Sequence, residues 1–535
     1  MTTRPAAIRF APPYDLPRWP FVPPPESSRD DIVRHPVVIV GAGLSGLTLA
    51  CDLAVRGVHC LLLDDDDTVG ARGASSRGIC YAQKSLEIFA RLGIYERIRA
   101  KGIQWSVGRT YIGHDELYRF DLQTDSLSEQ PPFINLQQFY VEWFLVERIL
   151  EIGRTDLRWK NRVTSIEPTD DAVRLQIETP AGYYAIDAAL LVDATGANSP
   201  IRTQLGLDPH TSLATDRWCI TDVRFDDPLP AERRTWTEAP FNEGRAVWQH
   251  LMADNVWRMD YQMAPDADPE WIARPEVASA RLRQQLGPDV AFEFVWIGPY
   301  QYRDLLLDDF RHGRVFFIGD AAHVVSPFGA RGGNNGIQDA ANLAWKLAHL
   351  SEGLADDALL DSYQAERHPA ALENLTITRR TAAFLAPPSK GARLFRDALL
   401  ALARAHPFAR LMVDTGRMAR ANDYPDSCWL PAGGRSVPNI RFGQTTLMQA
   451  LGRSNRYLAL WFGAPDAPAA EAATSNGIEV ISLEPDDVTG RVFDARAGSL
   501  ALIRPDAYLV GVLHEAQADD VDALIGRLQR AARRA

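Results

Sequence analysis

Cysteine is scarce in this chain. Five occur in 535 residues (Cys51, Cys60, Cys80, Cys219 and Cys428), with no CxxC pair and no grouping that resembles metal ligands. A disulfide framework, dithiol exchange and a thiolate metal site are therefore excluded, and no metal is expected. The thiols read as small buried hydrophobes in a reducing cytoplasm. Long apolar runs are missing too: none reaches the roughly 18 residues of a membrane span, and the N-terminus carries no apolar leader segment. The expected location is the cytoplasm, with no membrane partner. Positive charge is in deficit, with 57 Lys and Arg against 69 Asp and Glu, a net charge of −12. That balance argues against nucleic acid as a partner. No internal repeat and no nucleophile triad is legible. What is present, 46% apolar and 24% charged residues, is ordinary for a globular protein, and the length calls for two or three domains.

The most informative stretch is Val37-Val38-Ile39-Val40 followed by Gly41-Ala42-Gly43-Leu44-Ser45-Gly46. Four β-branched residues read as a buried parallel strand, with Pro36 at its first position, where a strand tolerates proline. Apolar residues at Leu47, Leu49, Ala50, Leu53 and Ala54 have helical spacing, so a helix is predicted from Leu44 to Arg56 with Gly57 as its stop. A second apolar run, Val58 to Leu63, ends in Asp64. Strand, glycine turn, helix and strand with a terminal acid make a dinucleotide site. The glycines admit a pyrophosphate at the helix N-terminus, and the acid accepts from a ribose hydroxyl. A carboxylate at Asp64 repels a 2′-phosphate, which leaves FAD or NAD as the nucleotide in this fold. Asp65, Asp66 and Asp67 read as a solvated acidic turn.

A second loop lies far along the chain. The strand Arg314–Ile318 runs into Gly319-Asp320-Ala321-Ala322-His323, then Pro327-Phe328-Gly329-Ala330-Arg331-Gly332-Gly333-Asn334-Asn335-Gly336. From Gly336 to Leu347 the pattern is that of a helix. Amides near Gly333 and Asn334 would face a site at its positive end, where negative charge is stabilised. Two such loops fit one long cofactor held at both ends, and FAD is such a cofactor. A plain NAD dehydrogenase leaves the second loop unexplained.

At these residues the sequence resembles the single-component FAD-dependent aromatic hydroxylases, the class A flavoprotein monooxygenases, in particular the 3-(3-hydroxyphenyl)propionate hydroxylase-like branch. The likeness rests on Gly319–His323, on Asn342 to Leu347, on Leu360 to Arg367, on Ser76-Arg77-Gly78-Ile79 and on Asn135-Leu136-Gln137-Gln138, and it covers about residues 36 to 385. The resemblance implies that Gly41, Gly43 and Gly46, with Leu44 and Ser45, take the pyrophosphate and that Asp64 takes the adenosine ribose. It places Arg77 at the phosphate or ribityl region with Gln138 beside it, and Asp320 at the ribityl chain or pyrophosphate. The Pro327 carbonyl falls near the reactive face, and Gly332, Gly333 and Asn334 at the pyrimidine edge. Val163 is grouped with these cofactor contacts. For Arg77 the alternative is a surface ion pair, and for Gln138 an ordinary polar residue at a helix start. One departure stands out. In Asp193-Ala194-Thr195-Gly196-Ala197-Asn198-Ser199-Pro200-Ile201-Arg202, Thr195 replaces the family's usual aspartate and Asn198 a common arginine. That motif is associated with FAD and nicotinamide nucleotide binding, so the departure bears on the pyridine-nucleotide step.

The expected fold class is α/β. A discontinuous Rossmann-like FAD-binding domain (36–215 and 311–385) carries an inserted antiparallel-sheet substrate domain (216–310). Ahead of it runs a proline-rich arm (1–35), either laid over the body through Phe10, Tyr14, Trp19 and Phe21 or an unstructured tail. Behind it come a helical linker (386–432) and a thioredoxin-like C-terminal domain (433–535) without CxxC, hence without dithiol exchange. The chemistry implied by the resemblance is hydroxylation of a phenolic aromatic compound, of the kind found in aromatic compound catabolism. It uses O2, NADH or NADPH and a flavin C4a-hydroperoxide, while the protein orients the ring and excludes water. In the inserted sheet His250, Arg258, Gln262, Tyr300, Tyr302 and Arg303 are candidate substrate contacts, each also explicable as a core or sheet-face residue. Arg258 is the first choice for a substrate carboxylate; His250, Tyr302 and Pro327 complete the catalytic set. His323 reads as structural. Two other readings stay open: a monooxygenase of a larger polyketide-like substrate (Baeyer–Villiger oxidation, epoxidation or decarboxylative hydroxylation), and a flavin-binding protein without turnover. A homodimer fits the family's habit.

Overall fold

The strand Val33–Val40 is the axis of the molecule. In this computed structural model, which describes residues 8–9, 14–29, 31–70, 78–123, 126–213, 217–226, 229–414, 418–431 and 433–532, it lies between Gly182–Asp193 and Cys60–Leu63, parallel to both. Thr155–Arg158 extends the parallel sheet on one side and Val315–Phe317 on the other. The hairpin partners Val173–Thr179 and Arg162–Pro168, with the short strand Arg311–His312 beside Val315–Phe317, complete it. The strand begins three residues ahead of Pro36. Only Val38 to Val40 pair with the Cys60–Leu63 strand, so Pro36 lies where that edge is open and its missing N–H costs no ladder bond. The helices Leu44–Val55, Gln138–Ile152 and Gly332–Ser351 share one continuous apolar core with this sheet.

The second large sheet runs in the order Ile8–Arg9, Phe292–Tyr300, Arg217–Phe225, Val256–Met263, Arg245–Leu251, Arg233–Ala239, Val107–Ile112, Asp115–Asp121. It is wider than the 216–310 segment, because it recruits residues 107–121 and a short piece of the N-terminal arm. Alternation along its strands gives two faces. One, with Val247, Met259 and Tyr261, packs on the helix Pro275–Leu286 through Leu282. The other carries Trp218, Ala246 and Trp248 against Phe328 of the second glycine loop.

Residues 14–29 lie along the body. Trp19 stacks on Trp159 at 4.9 Å, Tyr14 meets Phe139 at 4.6 Å, and Arg18 pairs with Asp67 at 2.7 Å. Phe10 lies outside the described residues. After the long helix Ala358–Leu385 come the helix Lys390–Ala405, the short turn Pro407–Arg410 and irregular chain. The C-terminal sheet has the order Glu479–Ser482, Leu458–Phe462, Ser499–Ile503, Leu509–Leu513, its first pair parallel and the rest antiparallel. With the helices Pro468–Ser475 and Ala518–Ala532 it has thioredoxin-like βαβ–ββα connectivity. Among the described residues no helix is long and apolar enough to cross a membrane, and no group of three His, Cys, Asp or Glu residues is placed to hold a metal.

Candidate functional site

The first glycine loop is fixed by its own packing. A Cβ on Gly41 would come within 2.5 Å of the Ala194 carbonyl oxygen, and one on Gly46 would overlap the Gly41 carbonyl. Gly43 differs: it is extended, caps the Leu44–Val55 helix without a side-chain hydrogen bond, and faces open space. The fold needs Gly41 and Gly46, whereas the bare Cα of Gly43 only keeps a cradle open at the helix's positive end. Asp64 ends the Cys60–Leu63 strand and accepts from the Ala42 amide at 2.5 Å and the Asp66 amide at 2.8 Å. Burial pushes its carboxyl up to about 6, against the pull of those amides.

The second loop is wedged against the first. Ser45 Oγ sits so close to Gly319 and Gly336 that a Cβ on either would overlap it, and Leu44 lies against Gly333. Two helix N-termini thus converge, and neither Gly43 nor Arg331 caps its helix through a side chain. First-turn amides at both ends remain for a ligand. Behind the loop, fully buried Asp339 accepts from His323 Nε2 at 2.6 Å, the Gly319 amide at 2.9 Å and Arg367 Nε at 2.7 Å. His323 and Arg367 overcome burial and hold its carboxyl down at about 2. The Asp193–Arg202 stretch closes the third side. Asp193 accepts from the Thr195 amide at 2.8 Å, from Thr195 Oγ1 at 2.6 Å and from Ser199 Oγ. Arg202 donates to the Ala321 carbonyl at 2.8 Å.

Above this cradle, sheet register lines up side chains across the strands. Trp248 is opposite Asp260 and Asp260 opposite Ile220; His250 is opposite Arg258 and Arg258 opposite Asp222. Trp218 stacks on Trp248 at 4.6 Å. Phe328 meets Trp248 at 4.9 Å and Tyr302 at 5.3 Å. The side wall is the strand Cys80–Ala82, bolted to Asn334: its Oδ1 accepts from the Ala82 amide at 2.9 Å and Ser85 Oγ at 2.7 Å, and its Nδ2 donates to the Cys80 carbonyl at 2.8 Å.

Residues 34–378 match the family described as FAD binding domain. The chain belongs to this family of FAD-dependent monooxygenases. A relative from Streptomyces rimosus, 6-methylpretetramide 4-monooxygenase, is 30% identical over 530 residues, covering 92% of this chain and 93% of its own. A 3-(3-hydroxy-phenyl)propionate/3-hydroxycinnamic acid hydroxylase of Mycolicibacterium smegmatis is 27% identical over 364 residues, 68% of this chain and 64% of that one. The crystal structure of the flavin-dependent monooxygenase PieE, in complex with FAD and substrate, shares the fold. Its TM-score is 0.78 at 22% identity, over 94% of this chain and 100% of that one.

In this flavin monooxygenase Gly41, Gly43, Leu44, Ser45, Gly46, Asp64, Asp320, Pro327, Gly332, Gly333 and Asn334 come together at the two loops. The helix expected from Gly336 starts at Gly332, so Gly332, Gly333 and Asn334 form its first turn. Asp320 is exposed in the single turn Gly319–Ala321. The Pro327 carbonyl accepts from the Ala330 amide at 3.1 Å. Gln138 opens the helix Gln138–Ile152 beside Gly78 and donates to Glu142 at 2.7 Å. Val163 packs its side chain into the core, and Arg77 lies outside the described residues.

Several of the substrate candidates are engaged within the protein itself. The fork of Arg258, expected to take a substrate carboxylate, is closed on buried Asp222 by bonds of 2.9 Å from Nε and 2.9 Å from Nη2. His250 is buried and its charging is strongly disfavoured, first by desolvation and then by Arg233 and Arg258. Tyr302 is buried in the aromatic cluster. Arg303 turns away to donate to Asn198 at 2.7 Å. Sequence reasoning missed Trp218, Asp222, Arg233, Asp260 and Phe328; the alternating runs 217–225 and 256–263 were the available signal for all but Arg233 and Phe328.

Proposed function

We propose that this monooxygenase hydroxylates a phenolic ring of a fused, polyketide-type aromatic compound, with NADH or NADPH as electron donor. The observation that carries the reading is the aromatic wall of Trp218, Trp248, Tyr302 and Phe328, set between the sheet and the second loop. Flat aromatic faces suit a flat ring system, and the closed Arg258–Asp222 pair leaves that guanidinium no fork for a small aromatic acid. The Streptomyces rimosus relative, matched nearly from end to end, is named for oxygenating a compound of this type.

FAD would be held by Gly41, Gly43, Leu44, Ser45 and Gly46 at its pyrophosphate and by Asp64 at its ribose. Gln138, Val163 and Asp320 would lie along its length, with Pro327, Gly332, Gly333 and Asn334 at the ring. The open space at Gly43 and the uncapped helix ends fit a dinucleotide of this length. When bound, FAD supplies the redox chemistry, accepting electrons from the nicotinamide nucleotide and activating O2. The chain does the rest: the positive end of the Gly332–Ser351 helix stabilises negative charge at that end of the cradle. The tryptophan pair orients the ring, and the packed sheet excludes water. Anaerobic bleaching of the flavin's visible band, with each donor and a panel of mono- and polycyclic phenols, tests the reading together with the mass and NMR spectrum of the aerobic product. Acceleration by a polycyclic phenol and a product heavier by one oxygen are expected. Acceleration only by small aromatic acids, or an oxygen inserted into a ring bond, refutes it.

A further inference from the structure

Asp260 lies on the face of the inserted sheet that is turned toward the second glycine loop. It lies between Trp248 and Ile220 in adjacent strands, on the face where Trp248 meets Phe328 of the second loop. Its neighbours Trp257 to Met259 and Tyr261 to Met263 are sealed, yet Asp260 keeps part of its surface open. No hydrogen bond or ion pair engages its carboxylate among the described residues. Arg258, two residues away on the same face, is committed to Asp222.

The charged and titratable groups around it come from every strand nearby: Arg258 on its own strand, Asp222 and Arg233 on the strands Arg217–Phe225 and Arg233–Ala239, and Cys80 from the side wall. His250 stands next to Arg258 across the register and is held neutral. A carboxylate set this deep, unbonded and open on one side, is poor structural material, because a buried charge without partners costs stability.

We propose that Asp260 is the base that takes the phenolic proton of the bound substrate, a role that rests on the phenol-hydroxylase reading above. The substrate O–H bond breaks, its proton passes to the Asp260 carboxylate to give the neutral acid, and the electron pair stays on oxygen as a phenolate that enriches the ring carbon to be attacked. Burial, opposed by Arg258 and Arg233 and reinforced by Asp222, raises the carboxyl to about 7. A base poised there works near neutral pH. The flanking guanidinium groups would also favour the phenolate that forms.

The experiment uses the FAD-loaded enzyme and 1,8-dihydroxyanthraquinone, a polycyclic phenol whose absorption moves to longer wavelength on ionisation. Wild type, Asp260→Asn and Asp260→Glu are compared at equal flavin occupancy. In wild type the phenolate must form beside a carboxylate, so Asp260→Asn, which removes that like charge, should still bind the probe and ionise it at a pH at least one unit lower, and Asp260→Glu should move the ionisation back. With a substrate that turns over, the hydroxylation rate of Asp260→Asn should fall ~10²-fold or more and lose the pH limb near neutrality. A probe ionised equally by wild type and Asp260→Asn overturns the assignment and leaves the phenol-hydroxylase reading standing. A wild-type enzyme that binds neither this probe nor any polycyclic phenol overturns that reading, and the assignment with it.

Discussion

Glu366 makes the sharpest test of how the C-terminal unit is tied to the FAD-binding body. Its carboxylate, on the helix Ala358–Leu385, is fully buried and accepts five hydrogen bonds. Two come from Arg504 (2.6 and 3.0 Å), and one each from Lys346 (2.9 Å), Asn342 (2.7 Å) and Ser427 (2.6 Å). Arg504 belongs to the Arg504-Pro505-Asp506 turn and also pairs with Asp506 at 2.7 Å. Two cations and two carboxylates balance in this buried cluster. Glu366→Gln removes one carboxylate and, whichever way it is turned, sets an amide NH2 against Arg504, which can only donate. Losing one partner of such a cluster costs about 3–5 kcal/mol. At roughly 2 cal/mol/K of unfolding entropy per residue, 4 kcal/mol is worth about 4 °C if the whole chain melts together, but about 20 °C if the last hundred residues melt alone. Calorimetry beside flavin-release fluorescence separates these cases, and an early transition that precedes flavin release is expected. The pH dependence adds a signature. Burial already lowers Lys346 to about 8, and without Glu366 it falls further. A lysine lowered on folding costs stability while protonated, so the variant's deficit should be largest near pH 6, shrink as pH rises toward 8 and level off above it. A single transition within about 1 °C of wild type at pH 6 would refute the reasoning.

Gly43→Ala should leave the unfolding free energy of the flavin-free protein within about 0.5 kcal/mol of wild type yet weaken flavin binding in a fluorescence titration, whereas Gly46→Ala should lose both. Arg258→Ala should destabilise by about 3–5 kcal/mol, because it strands buried Asp222. A raised KM with unchanged melting would restore Arg258 as a substrate contact. Thr195→Asp, which restores the family's residue, should cost about 1–3 kcal/mol in urea unfolding, since it sets a carboxylate against Asp193 in place of a donor. Asp339, held at about 2 against an ordinary 3.8, contributes about 2 kcal/mol that is complete above pH 4 and lost as pH falls toward 2. Asp339→Asn should flatten that part of the acid-unfolding curve.

Both glycine loops were legible in the sequence, because a β-branched run, a glycine turn and helical spacing are all local signals. Less local features escaped. Gly332 to Asn335 read as loop, since glycine and asparagine have weak helix propensity, yet tertiary packing against Leu44 and Ser45 starts the helix there. Residues 107–121 join the inserted sheet through pairing with Arg233–Ala239, which no periodicity records. Arg258 was picked out for its chemistry, but its partner Asp222 lies 36 residues away on a neighbouring strand. Asp260 looked like any polar position in an alternating strand, and only register shows what stands opposite it.

The wedge of Ser45 between Gly319 and Gly336 also dictates an order of events during synthesis. The first loop leaves the ribosome early, but its cradle has no second wall until the entire inserted sheet and the Gly332–Ser351 helix have emerged. At roughly 5–20 residues per second, that leaves an interval of tens of seconds in which a nascent chain has a nucleotide loop and nothing to close over it. The Glu366 carboxylate then waits a further 138 residues for Arg504. Cofactor capture is thus a late event, and a truncated chain or one stalled before the second loop would expose an open parallel-sheet core, a natural target for chaperones.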